Sequence, residues 1–207
     1  MIINDKQEGK KYKLYIDIKP LESGHAIRGV GSYTRNLIGV FLKNENIEIV
    51  ETRKQADIVH YPYFDLFFHT LTKEKSKPTL VTIHDVIPLI YPKFYKSGLR
   101  GKFNLLQQKK SLKNMDAIVT DSETSKKDIV RFLNVGSEKV NVVHLAQAEI
   151  FKPIKSTVVK QEVKNRYNLP DNFVLYVGDV NYNKNVLNLV KACSVVKVPL
   201  VICGGQA

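Results

Sequence analysis

The sequence predicts a doubly wound α/β fold: a parallel sheet flanked by helices, followed by the opening of a second domain of the same kind. Three observations predict it. Short β-rich runs alternate with longer stretches of helical periodicity along the chain. The strand candidates are apolar at nearly every position, as befits strands buried on both faces of a parallel sheet. Polar residues suited to ligand binding, His84-Asp85 and Asp121-Ser122, come directly after two of those runs. In open α/β sheets ligands bind at the carboxyl ends of strands.

The elements follow in order. Residues 1–11 are polar and are expected to be disordered. Tyr12–Ile18 reads as the first strand. Val30–Lys43 reads as a helix, with Leu37, Val40 and Phe41 on one face. Ile47–Val50, Ile58–Tyr61 and Thr79–Ile83 read as strands, and Leu99–Asn114 as a helix. Ala117–Thr120 is the next strand. Ser122 has the type and place of an N-cap for a helix reaching about Leu133. Val140–His144 closes the first domain, expected over 12–152. A linker over 153–170, holding a short helix, leads to a single β–α–β unit over 171–207: Phe173–Val177, Val186–Val195 and Leu200–Cys203. A lone unit of this size cannot cover both faces of its own sheet, so it is expected to be the truncated start of a second domain.

Composition narrows the function classes. Hydrophobic residues make up 43% and charged residues 25% of the 207, as in ordinary globular proteins. No apolar run is long enough to span a bilayer, and the start lacks the apolar core of a signal peptide, so the expected compartment is the cytoplasm. Cys193 and Cys203 have neither a CxxC pair nor a histidine cluster beside them, which argues against zinc and against a disulfide. The 32 Lys+Arg against 20 Asp+Glu give +12, which favours an anionic partner. No helix-turn-helix, zinc or aromatic-basic motif supports nucleic acid.

Three segments carry chemistry. Arg28-Gly29-Val30-Gly31-Ser32-Tyr33 fronts the first helix. Its glycines let backbone N–H groups approach a ligand, and a helix N-terminus favours an anion. It is not a dinucleotide fingerprint, because Thr34 stands where the third glycine belongs. His84 at a strand end is placed to bind a hydroxyl or move a proton, with Asp85 either orienting it or capping the next loop. A structural histidine is the competing reading. Gly178-Asp179-Val180-Asn181-Tyr182-Asn183-Lys184 runs from a strand through a glycine loop to a lysine before a helix, which suits a phosphate. A surface lysine beside a turn fits it equally.

Taken in order, four segments resemble the large retaining glycosyltransferase family called group 1 or family 4. They are GVGSYTRNL (Gly29–Leu37), HDVIPLIYP (His84–Pro92), DSETSKKDI (Asp121–Ile129) and YVGDVNYNKNVLNLVKA (Tyr176–Ala192). The resemblance implies a GT-B fold of two Rossmann-like domains facing a cleft, the first mainly receiving the acceptor and the second mainly holding the donor. It implies transfer of a hexose, with retention, from a UDP- or GDP-sugar to a saccharide or lipid-linked saccharide, in cell-surface polysaccharide or glycolipid synthesis. His84 and Asp85 would be catalytic, His84 beside the transferred sugar. Gly29, Gly31 and Lys184 would hold the donor phosphates, while Arg28, Asp121 and Ser122 would serve the acceptor side. No metal or other cofactor is expected, and no DxD motif occurs.

Two departures stand out. Asp179 occupies the position where many members carry arginine, which leaves one cation fewer at the leaving group. The family's E-x7-E element has no match here, so a chain of this extent is expected to bind donor poorly. The alternative function is an inactive fragment or isolated domain that binds acceptor or a protein partner.

The basic stretch from Lys93 to Lys113 leaves two placements open. Leu99, Phe103 and Leu106 share one helical face, with Arg100, Lys102, Lys109, Lys110 and Lys113 around it. That helix either packs its apolar stripe on the core or lies on an anionic membrane surface, which would make the protein peripheral on the inner membrane face.

Overall fold

A computed structural model describes residues 11–72 and 75–204. The stretch expected to be disordered lies outside the described residues except for Lys11. The chain divides into two units, up to Ala146 and from Gln147.

The first unit is a Rossmann-like α/β layer structure. Its strands are β1 (Tyr12–Ile16), β2 (Ile47–Ile49), β3 (Ile58–Tyr61), β4 (Thr79–Thr82), β5 (Ala117–Thr120) and β6 (Val140–Val142). All pairings are parallel, in the order β2-β1-β3-β4-β5-β6. The chain steps from β1 through helix α1 (Gly29–Leu42) to β2, then returns past β1 to β3 and continues outward. The order therefore reverses between β1 and β3, and the carboxyl ends of these strands open a crevice.

Register decides what lies on each face. Val59 and Tyr61 of β3 stand beside Thr79 and Val81 of β4, and Val81 beside Ile118 of β5. Cross-strand partners share a face, so these residues form one wall of the core. Leu112 and Met115 join them, as do Ile129 and Leu133 from helix α4 (Glu123–Leu133). Each side chain of this size contributes about 1.5–3 kcal/mol when fully buried. The opposite face carries Leu14, Ile16, His60 and Thr82, all buried, with Tyr33 of α1 bonded to Thr82.

Between β4 and β5 run a single helical turn, α2 (Ile87–Ile90), and a long helix, α3 (Gly98–Lys113). The inward face of α3 is polar: Asn104, Gln108 and Ser111 are buried beside Leu112. Gln108 Oε1 accepts from the Thr70 and Leu71 amides at 3.0 and 3.2 Å and from the Thr70 hydroxyl. Its Nε2 donates to the carbonyls of Asp65 and Phe68, and Asn104 donates to the Phe67 carbonyl at 2.8 Å. The apolar stripe faces out, with Leu99 87%, Phe103 60% and Leu106 61% exposed. Packing of that stripe on the core is thereby corrected. Hydrogen bonds to the 65–71 backbone satisfy the buried amides, and the stripe is left over.

The second unit contains α5 (Thr157–Arg166), capped by Ser156, and a parallel pair, β7 (Val174–Val177) and β8 (Leu200–Cys203), joined by α6 (Val186–Val196). A Cβ on Gly204 would fall 2.3 Å from the Gly178 carbonyl oxygen, so the two strand ends meet backbone to backbone. Cys193 is buried, Cys203 is exposed, and both are free. Among the described residues no helix is long and apolar enough to cross a membrane.

Candidate functional site

The sheet itself assembles the central pair. Thr82 stands beside Val119, so two residues further along each strand the chain brings His84 opposite Asp121. Ile83 keeps the ladder going by donating to the Val119 carbonyl at 2.9 Å. His84 Nδ1 and Asp121 Oδ2 lie 2.7 Å apart, with about a fifth of each side chain exposed (19% and 22%). A carboxylate accepts only, so Nδ1 carries a proton. That leaves Nε2 as an acceptor in the neutral ring and a donor in the charged one. Among the described residues Nε2 is buried and has no hydrogen-bond partner. An orphaned buried polar atom costs about 1–3 kcal/mol, and such an atom at a sheet's carboxyl edge is what a ligand would satisfy.

A neutral layer supports the ring. Tyr33 meets His84 edge-on, with centroids 4.8 Å apart and planes at 87°. Its hydroxyl lies 3.2 Å from Thr82 Oγ1, which lies 2.9 Å from His60 Nε2. Burial, and then the neighbouring His84, lower the His60 pKa from 6.5 to about 4. Burial also raises the Tyr33 pKa. Both groups are uncharged at neutral pH.

The glycine loop lies alongside. Arg28 is extended at the start of α1 and offers no side-chain cap, while the Gly31 amide donates to the His25 carbonyl at 3.2 Å, so an anion would meet the amides of Gly29 and Val30. The two glycines differ. A Cβ on Gly31 would fall 2.5 Å from the carbonyl oxygens of both His25 and Ala26, whereas a Cβ on Gly29 would meet open space. Gly31 lets the loop fold over the helix, and Gly29 leaves room in front of it.

A further wall was not legible in the sequence. Tyr63 stacks obliquely on His25, centroids 4.6 Å apart, and donates to Asp65 at 3.0 Å. Burial, Asp65 and Asp85 raise the Tyr63 pKa, and Arg28 opposes them. Asp85 is exposed and accepts from the Ile87 amide at 3.0 Å, a local bond in the loop that leads into α2. Thr82, His60, Tyr63 and His25 all sit in ordinary-looking apolar or loop context, so only non-local pairing reveals them.

Comparison with known proteins places this geometry in a family. The sequence profile of Glycosyltransferase Family 4 matches residues 16–146. The chain belongs to glycosyltransferase family 4. It is 25% identical over 123 residues to the serotype-specific mannosyltransferase WbdA of Escherichia coli, covering 59% of this chain and 15% of WbdA. It is 29% identical over 111 residues to the O-antigen chain mannosyltransferase RfbU of Salmonella typhimurium, covering 54% of this chain and 27% of RfbU. The chain thus spans a minor part of the length of both relatives. Among solved structures, Anabaena HepE in complex with UDP-glucose is similar with a TM-score of 0.44 and 11% identity, over 94% of this chain and 69% of HepE. A glycosyltransferase from Rickettsia africae gives 0.43 and 14%, over 96% and 69%.

In this family 4 chain, the matched region holds the whole His84–Asp121 cluster, the glycine loop and the Tyr63 wall. The other expected residues lie apart from that cluster's bonds. Ser122 caps α4, accepting from the Ser125 amide at 3.1 Å. Arg28 is exposed. Lys184 belongs to the second unit, where it is exposed at the end of a 3-10 turn, Tyr182–Lys184, just before α6. Asp179 contributes its backbone carbonyl to Tyr176 Oη at 2.8 Å.

Proposed function

We propose that this chain carries the acceptor-side domain and the first part of the donor-side domain of a retaining hexosyltransferase of GT-B type. The reaction moves a hexose, mannose foremost, from a UDP- or GDP-sugar to a saccharide or lipid-linked saccharide of a cell-surface polysaccharide. The enzyme works on the cytoplasmic side of the membrane and without a bound metal. Similarity to the mannosyltransferases WbdA and RfbU supports the sugar, and similarity to RfbU, an O-antigen chain mannosyltransferase, supports the pathway class.

The observation that carries the reading is the orphaned His84 Nε2, held by Asp121 beside an uncapped, glycine-fronted helix start. Glycosyl transfer breaks the bond between the sugar's anomeric carbon and the diphosphate, and joins that carbon to the acceptor oxygen, which loses its proton. Negative charge grows on the diphosphate, where aligned amides and a cation stabilise it. The open amides of α1 around Gly29 suit that charge, and Gly31 shapes the loop that presents them. Lys184 on the second unit is a cation of the type that neutralises a diphosphate. His84 Nε2 takes a hydroxyl of the transferred sugar, and Asp121 fixes the tautomer that allows it. Arg28, Asp85 and Ser122 border the acceptor side.

The test is turnover of the transferase with GDP-mannose and UDP-glucose as donors. His84→Ala is expected to lower kcat about a hundredfold or more, with an unchanged far-UV spectrum. Undiminished turnover with either donor overturns the assignment.

A further inference from the structure

The outward face of α3 combines two features that ordinarily exclude each other on a protein surface. Leu99, Phe103 and Leu106 form an exposed stripe on the side opposite the buried Gln108 and Leu112. From Val86 to Met115 the sequence contains no acid and seven bases, of which Lys102, Lys110 and Lys113 are exposed on the same outward side. Phe103 and Leu106, with Leu133 at the end of α4, also line a groove of about 460 Å³ whose other walls are Lys109, Lys110 and Lys113 together with Gln107 and Asn134. An apolar floor with a lysine rim matches an amphiphile that carries a chain and an anionic head. A water-facing helix gains nothing from the stripe, and a protein partner is not indicated by a face of one charge sign.

We propose that the outward face of α3 docks on an anionic lipid bilayer. Leu99, Phe103 and Leu106 enter the boundary between headgroups and acyl chains, and the lysines contact lipid phosphates. The helix lies in the plane of the surface, anchored from beneath by the hydrogen bonds of Gln108 and Asn104 to the 65–71 segment. The same segment carries Asp65 and through it Tyr63, so the docked helix and the site wall share one support. The proposal deepens the lipid-linked acceptor reading, but its test measures membrane binding without enzymatic activity, so either can fail alone.

The experiment uses the whole chain with vesicles of phosphatidylcholine, with and without about 30% phosphatidylglycerol. Flotation is expected to recover the protein with the anionic vesicles only, and to weaken steeply as salt rises from about 0.1 to about 0.5 M. Because the chain has a net charge of +12, charge alone could give that much. The triple variant Leu99→Ser, Phe103→Ser, Leu106→Ser separates the two. It removes exposed side chains, leaves the fold intact by circular dichroism, and is expected to weaken binding roughly tenfold or more. Replacing Lys109, Lys110 and Lys113 by glutamine is expected to weaken it about fivefold for each lysine removed. The chain lacks tryptophan, so Leu106→Trp gives a clean report of insertion, with blue-shifted emission quenched by brominated lipid. No binding to anionic vesicles overturns the proposal. So does equal binding of the serine variant, unshifted emission from bound Leu106→Trp, or binding to RNA without binding to vesicles.

Discussion

Removing the titratable group of His60 should flatten the acid sensitivity of this domain. His60 is buried beneath the site, and burial, then His84, hold its pKa at about 4 against 6.5 in the unfolded chain. A depressed histidine pKa means that the unfolded state takes up the proton first. Stability is therefore full above pH 6.5 and falls as the pH drops toward 4. By linkage the loss is about 2 kcal/mol at pH 5 and about 3 kcal/mol once pH 4 is reached. That is a sizeable share of the 5–15 kcal/mol typical of a domain. His60→Gln keeps a hydrogen-bonding group for Thr82 and cannot take up a proton in this range. Urea unfolding of both proteins at about pH 7.5 and about pH 5 is the assay. The wild type should lose about 2 kcal/mol more than the variant across that interval, the other histidines cancelling in the difference. Parallel losses, equal within about 0.5 kcal/mol, would refute the claim that His60 is buried neutral.

Two other substitutions test the supports of the site. Gln108→Met keeps the volume but unpairs the Thr70 and Leu71 amides and the Asp65 and Phe68 carbonyls, at a cost of about 1 kcal/mol each where water does not replace the bond. Urea unfolding should show a loss of about 3 kcal/mol, and a loss below about 1 kcal/mol would mean that Gln108 does not hold the segment. Gly31→Ala pushes a methyl group onto two carbonyl oxygens and should cost about 1–3 kcal/mol, while Gly29→Ala, facing open space, should change stability by less than about 0.5 kcal/mol. Equal effects at the two glycines would show that the loop does not close over Gly31.

The sheet was legible because its strands are strong local signals. Ile58–Tyr61, Ala117–Thr120 and Leu200–Cys203 begin and end where the apolar runs do. Five strands read too long: β2, β4 and β7 by one residue, and β1 and β6 by two, which these lose at their ends for a local reason. Asp17 turns its carboxylate to the Lys19 amide, and β6 lies at the sheet edge with one partner to define it. The turn α2 was missed because one turn has no period to detect. The orientation of α3 could not be read, since Asn104, Gln108 and Ser111 look like a solvent face until the carbonyls and amides of 65–71 are seen to bond two of them. At the site, His84 and Asp121 were legible as strand-end residues, and the register alone makes them neighbours. Tyr33, His60 and Tyr63 were not, because their roles arise from contacts between elements far apart in sequence.

The neutral layer under His84 gives that ring its freedom to act. Thr82 Oγ1 has one proton to give and sits between Tyr33 Oη and His60 Nε2. The hydrogen bonds therefore run in one direction or the other, Tyr33 to Thr82 to His60 or the reverse. Both arrangements are uncharged. Protonating His60 would force the second and set a cation beside His84, the repulsion that helps to hold the His60 pKa down. Asp121 is then the charged group bonded to the His84 ring, on the Nδ1 side, and the Nε2 side answers to whatever enters the crevice. A histidine fixed on one edge by a carboxylate, backed by neutral groups and unpaired on the other edge is suited to holding a hydroxyl whose surroundings change charge during reaction, because its own support contributes no competing charge.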